Sequence, residues 1–133
     1  MIKEKAQNAN WFAACNVDDV PSDGGVCVKY MSEQIALFRF ERRNEWHASQ
    51  NKCPHRQQMA ISRGMLGSAN GEAKIACPFH KKTFSLIDGR CLNSDEALQI
   101  AIYPVKVENN IVYIDVSSIE IKDNHNAYEK CNF

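Results

Sequence analysis

Cys53 and His55 are separated by one residue, and Cys77 and His80 by two. Thiolate sulfur and imidazole nitrogen are protein ligands of soft and borderline metals. Each short stretch, CPH and CPFH, offers one of each. Residues i and i+2 of an extended segment point to the same side. Cys53 and His55 can therefore address two adjacent metal centres at once. A proline follows each cysteine, at Pro54 and Pro78. With a fixed φ and no N–H, each stiffens its loop.

Two inorganic groups suit such a set. A zinc ion takes all four side chains in one tetrahedron. A two-iron, two-sulfide cluster takes both thiolates on one iron and both imidazoles on the other. Structural zinc sites usually pair Cys with Cys and His with His, whereas here each stretch mixes the types. The mixed order, with 21 residues (56–76) between the stretches, is that of Rieske clusters. Zinc stays open as the competing reading. In the Rieske arrangement Cys53 and Cys77 hold the buried iron, and His55 and His80 the outer one. Four such ligands saturate both irons, so the site relays electrons and binds no substrate. The chain has no GxGxxG and no phosphate loop, so it does not take hydride from a nicotinamide itself.

The scaffold for these loops reads as all-β. The chain has 133 residues, enough for one domain with its own core. Candidate strands start at Trp11 and continue with VCVKYM (26–31), QIALFRFE (34–41), EWHAS (45–49), KIA (74–76) and KTFSL (82–86). ALQIAIY (97–103) also alternates. VKVE (105–108) and IVYI (111–114) form a hairpin around Asn109-Asn110, because Asn tolerates positive φ. That register places Val105, Val107, Val112 and Ile114 on one face, the core side. The stretch 53–84 reads mainly as loop, with KIA as its one short strand. SDEAL (94–98) and residues 117–122 hint weakly at helix.

Lys plus Arg equals Asp plus Glu, 16 each, which gives no sign of a nucleic-acid or membrane-surface partner. No apolar run has the length of a signal peptide or a membrane span. The expected compartment is the cytoplasm, where the six cysteines stay reduced. Cys27 reads as a small buried hydrophobe. Cys91 is expected to pack near the metal site without being a ligand, and His47 to be structural. Trp11, Trp46, Phe84 and Tyr103 are expected in the core, and Gly64 and Gly89 in turns. The first ten residues read as frayed. The tail, about 118–133, with His125 and Cys131, reads as disordered or partner-contacting.

Beyond its four ligands the sequence resembles one branch of the Rieske [2Fe–2S] family, the small subunits of assimilatory NAD(P)H nitrite reductase. The resemblance rests on ISRG (61–64), NGE (70–72), HKKTF (80–84), DGRCL (88–92) and IYPVKVENNIVYIDV (102–116). It implies a Rieske-type antiparallel β-sandwich with a cluster-binding subdomain at about 52–90, within a single domain 1–133. It implies an electron-transfer subunit that is not catalytic alone, in an enzyme reducing nitrite to ammonia for nitrogen assimilation. FAD, sirohaem and a [4Fe–4S] cluster are then expected only in a large catalytic partner subunit. Some members of the branch lack the ligands, whereas this chain keeps all four. High-potential respiratory Rieske proteins carry two further cysteines where Gln58 and Phe79 stand, so a lower-potential site without a loop disulfide is expected. Imidazole ligation sets a range of about −150 to +300 mV, against about −400 mV for plant-type ferredoxins. Arg56, Arg63, Lys81 and Lys82 are candidates for raising the potential or docking an acidic partner. The alternatives are a free Rieske ferredoxin serving a ring-hydroxylating oxygenase, and a cluster-free structural or assembly subunit.

Overall fold

The computed structural model describes residues 9–41, 43–54, 57–79, 82–93 and 98–119. Its strands are β1 (Trp11–Asn16), β2 (Gly24–Tyr30), β3 (Glu33–Phe40), β4 (Glu45–Gln50), β5 (Lys52–Cys53) and β6 (Gln58–Met59). They continue with β7 (Met65–Ala69), β8 (Glu72–Ala76), β9 (Thr83–Ser85), β10 (Ile102–Tyr103), β11 (Val105–Glu108) and β12 (Ile111–Asp115). All pairings are antiparallel. They form a β10-β4-β3-β2 sheet, a β1-β12-β11 sheet, a β7-β8-β9 sheet and the small β5-β6 ribbon.

β3 explains the architecture. Its run IALF is buried throughout, and successive strand residues face opposite ways. Ile35 and Leu37 enter a core with Val20, Ala48, Tyr103, Val112, Ile114 and Val116. Ala36, Phe38 and Phe40 enter a second core with Cys53, Ile61, Ile75, Cys77, Phe84, Leu86 and Ile100. The central sheet is thus covered on both faces, which is why this strand is continuously apolar. One layer is the β1-β12-β11 sheet. The other is built from the segments that carry the two cysteine loops.

The C-terminal hairpin has the expected register: Val105 faces Ile114, Val107 faces Val112 and Glu108 faces Ile111. Asn109 and Asn110 take φ of 52° and 68°, the left-handed pair of a tight hairpin turn. Val112 and Ile114 are fully buried, but Val107 is 39% exposed, because β11 is an edge strand. Asn10, expected to be frayed, is tied down: its N–H donates to Asp115 Oδ1 (3.1 Å) and its carbonyl accepts from Val116 (2.9 Å).

The expectation of one short strand in 53–84 is wrong. β7 and β8 form a five-pair hairpin around Asn70-Gly71, whose φ angles are 53° and 81°. Asn-Gly is the strongest short hairpin turn, and this pair outweighs the loop-like composition around it. ALQIAIY contributes only Ile102–Tyr103 to a strand, plus a bridge from Gln99 to Arg90. Residues 117–119 form a turn and bend, not a helix. Residues 94–97 and 120–133, including His125 and Cys131, lie outside the described residues.

Phe84 and Tyr103 are core aromatics, as expected, but Trp11 is 36% exposed and Trp46 only half-buried. On β1 it is Phe12 that packs against the core, so Trp11 faces outward, under the Lys106 ammonium at 4.6 Å. Trp46 lies 5.4 Å from the Arg39 guanidinium. Among the described residues no helix is long and apolar enough to cross a membrane.

Candidate metal centre

Both cysteines sit at the base of a short loop, and the two bases are built alike. Cys53 ends β5 and pairs with Gln58 across the loop. Its carbonyl accepts the N–H of Gln57 at 2.7 Å. Gln57 turns the chain with φ 60°, and its Nε2 donates to Pro54 O at 3.2 Å. Cys77 directly follows β8, and its N–H donates to Lys82 O at 2.8 Å. Each loop therefore closes over five residue steps. His55 and His80 fall within these loops but lie outside the described residues, as do Arg56 and Lys81.

The two thiols share one environment. Cys53 and Cys77 are 0% and 1% exposed and belong to the same buried apolar cluster. Immediately beyond them the chain surfaces: Pro54 is half-buried, Pro78 is exposed and Phe79 is 54% exposed. This gradient suits a group held by thiolates on its inner side and reached from solvent on its outer side. It fits a [2Fe–2S] cluster with a buried thiolate-bound iron, the donor chemistry Cys53 and Cys77 supply.

The second loop is braced from below. Glu72 accepts from the Ser85 hydroxyl (2.6 Å) and, bidentately, from the Arg90 guanidinium (3.0 Å to each oxygen). Arg90 also reaches Asp88 Oδ2 at 2.6 Å. The Ser85 hydroxyl and then Arg90 hold the Glu72 carboxyl below its ordinary range. For Asp88 the backbone N–H of Arg90 is the leading cause of the same shift. Gly89 turns the chain with φ +86°, as expected from Asp88-Gly89.

Gly64 closes a turn, as expected, its N–H donating to Ile61 O at 2.9 Å, but its φ and ψ of −77° and −178° are ordinary extended backbone. What demands glycine is proximity. A Cβ there would run into the carbonyl oxygen of Ala76, the residue before Cys77. The ISRG segment is thus seated against the base of the second loop. No feature of the sequence separates this kind of glycine from one that a positive φ demands.

The other expectations divide. His47 is structural: Nε2 lies 3.1 Å from Glu45 Oε1, and its ring stands edge-on to Phe40 at 5.4 Å. Cys91 packs against the apolar cluster that holds Cys53 and Cys77, and its strand neighbour is Phe84. Cys27 is only partly buried, with Asn51 Nδ2 at 3.8 Å from its sulfur. Gln58 and Phe79 are exposed at the two loops. Arg63 is exposed and Lys82 half-exposed beside the second loop. An open pocket of about 490 Å³ lies between Arg63, Gly64, Met65, Ala76, Cys77 and Thr83.

The family model for the Rieske-like [2Fe-2S] domain matches residues 10–115. The nitrite reductase (NADH) small subunit of Escherichia coli (strain K12) is 31% identical over 106 residues, 80% of this chain and 97% of that protein. The nitrite reductase [NAD(P)H] large subunit of Klebsiella oxytoca is 37% identical over 105 residues, 78% of this chain. The match spans 11% of that larger protein. A dioxygenase ferredoxin component from Ralstonia sp. is 35% identical over 75% of this chain and 89% of its own. Among solved structures, the nitrite reductase [NAD(P)H] small subunit from Erwinia carotovora superposes with a TM-score of 0.71 at 29% identity, covering 92% and 94% of the two chains. By its β architecture, its paired cysteine loops and these near-full-length matches, the chain belongs to the Rieske-like [2Fe–2S] domain family, in the branch of nitrite reductase small subunits.

Proposed function

We propose that this chain is the electron-transfer subunit of an NAD(P)H-dependent nitrite reductase, working in the cytoplasm with a large catalytic subunit. The observation that carries this is the burial of Cys53 and Cys77 in one apolar cluster, in a chain alignable along 97% of a nitrite reductase small subunit. The ligands are Cys53 and Cys77 on the buried side and His55 and His80 on the outer side, within a cluster-binding unit of about 52–90. When bound, the [2Fe–2S] group takes up and releases one electron at a time. The chain's own residues do the rest. Phe84, Ile75 and Ile61 keep water from the thiolates. The hydrogen bonds at Gln57 and Cys77 fix the loop bases. Phe79, 54% exposed, and Met65, 76% exposed, leave an apolar rim beside the site. FAD, sirohaem and a [4Fe–4S] cluster belong to the large subunit, where hydride is accepted and nitrite reduced.

The test is reconstitution. The chain is expected to copurify with a large subunit containing flavin and sirohaem, and NADH-driven nitrite loss is expected to require both. The Ralstonia match supports a second reading, a free ferredoxin for a ring-hydroxylating oxygenase. A reduced protein that feeds such an oxygenase and shows no affinity for a sirohaem subunit would overturn the first reading in favour of the second. Anaerobic protein with equal iron and acid-labile sulfide excludes zinc; zinc alone, or no metal, would support a non-redox module.

A further inference from the structure

The first cysteine loop is closed by more than its own strands. β5 and β6 have two residues each, too few to hold a ribbon alone. Asn51, just before β5, is fully buried. Its carbonyl accepts the N–H groups of Ala60 and Ile61, both at 3.0 Å. Its side-chain Oδ1 accepts the N–H of Ser62 at 2.7 Å. Three successive N–H groups on the far side of the loop therefore end on one residue. On its other side Asn51 is fastened to the central sheet. Its Nδ2 donates to Gln34 Oε1 on β3 at 3.0 Å, and its own N–H donates to Gln34 O at 3.1 Å. Because Ser62 needs an acceptor and Gln34 offers one, this amide has one satisfying orientation. The seat is close: a Cβ on Gly25 of β2 would lie 2.9 Å from Ser62 O.

We propose that Asn51 is a positioning residue of the metal centre, clasping 60–62 to the central sheet so that the β5-β6 ribbon that ends in Cys53 stays paired. This rests on Cys53 being a cluster ligand. Ser62 is 7% exposed, so without the Asn51 side chain its N–H is buried with no acceptor, a substantial penalty. The loop then opens more often, and Cys53 with it. Asn51→Asp keeps an acceptor for Ser62, and the Gln34 amide can turn to donate to the second oxygen.

The experiment uses the full chain, anaerobically purified with its cluster. Cluster loss in excess chelator is followed by bleaching of the visible spectrum, and amide exchange at 60–62 by mass spectrometry. Asn51→Ala is expected to speed both at least about fivefold, and Asn51→Asp to stay within about twofold of the natural protein. Rates in Asn51→Ala equal to the natural protein's overturn the proposal, and so does Asn51→Asp behaving like Asn51→Ala. If the natural protein holds no iron, the ligand assignment of Cys53 fails instead, and the exchange rates alone decide the role of Asn51. If Asn51→Ala does not fold, Gln34→Leu removes only the anchor on β3. Exchange at 60–62 is then expected to rise at least about threefold, and an unchanged rate overturns the proposal.

Discussion

Replacing Gly64 with alanine tests whether the spacing between the two cysteine loops is set by backbone contact. Gly64 has φ −77° and ψ −178°, so alanine meets no conformational penalty there. Its Cβ, however, would collide with Ala76 O and come within 3.1 Å of Ala76 C and 3.0 Å of Ile75 Cδ1. Ala76 cannot retreat cheaply, because it pairs with Met65 on one side and Thr83 on the other. Overpacking against a fixed backbone costs about 1–3 kcal/mol. For a domain of this size each kcal/mol lowers Tm by about 4 °C, so a drop of roughly 4–12 °C is expected. Gly67→Ala is the control on the same strand. Its Cβ would meet only the flexible Lys74 side chain, Cε at 3.1 Å and Cγ at 3.8 Å. It should leave Tm within about 2 °C. The assay is thermal melting followed by near- and far-ultraviolet circular dichroism, with iron per chain counted before heating. Gly64→Ala should also hold less iron than Gly67→Ala, since Ala76 adjoins Cys77. Equal melting temperatures for the two variants would refute the steric argument.

Two further outcomes are expected. The Glu72 carboxyl is held low in the folded state, first by Ser85 and then by Arg90, so the unfolded chain binds a proton there more readily. Stability from this carboxylate is therefore present above the ordinary carboxylate range and is lost as pH falls through the lower folded value. Glu72→Gln should flatten the fall of Tm below about pH 4.5, and an unchanged slope would remove Glu72 from the acid response. His80→Cys tests the proposed outer-iron ligand by replacing a neutral imidazole with a thiolate, and hence adding negative charge. It should retain a cluster with a midpoint potential moved toward the all-cysteine range of about −400 mV. An unchanged potential would remove His80 from the ligand set.

Much of the scaffold was legible because its signals are local. Asn109-Asn110 specifies a tight turn, and the turn fixes the register of VKVE against IVYI. The run QIALFRF announces a strand, and the structure adds that both its faces are buried. What escaped depends on partners distant in sequence. Trp11 and Phe12 are equally apolar, and only the packing of β1 decides that Phe12 turns inward. Val107 sits on the correct face of its hairpin but at an uncovered edge. The β7-β8 hairpin was missed for a different reason. Its local signal, Asn70-Gly71, is strong, but it lies within a stretch whose Gly, Ser and Asn content resembles a loop. The candidate ligands were named from type and spacing, and of the four only Cys53 and Cys77 fall among the described residues. The burial of both thiols depends on apolar residues spread from Ala36 to Ile100.

The segment ISRG illustrates how a sequence fingerprint acquires a physical cause. At the sequence level it serves only to mark a family branch. In the fold its residues touch both loops. Ser62 donates its N–H to Asn51, at the base of the loop that carries Cys53. Gly64, two residues on, abuts the carbonyl of Ala76, at the base of the loop that carries Cys77. Ile61 fills the buried cluster between them with no exposed surface. Three nearby positions thus contact the surroundings of two cysteines that lie 24 positions apart in sequence. Two of the three contacts use backbone groups, Ser62 N–H and Ala76 C=O. The segment's identity is therefore constrained by size and shape: a small residue at 64, an apolar one at 61, and a buried amide at 62. Arg63 is the one exposed side chain of the four.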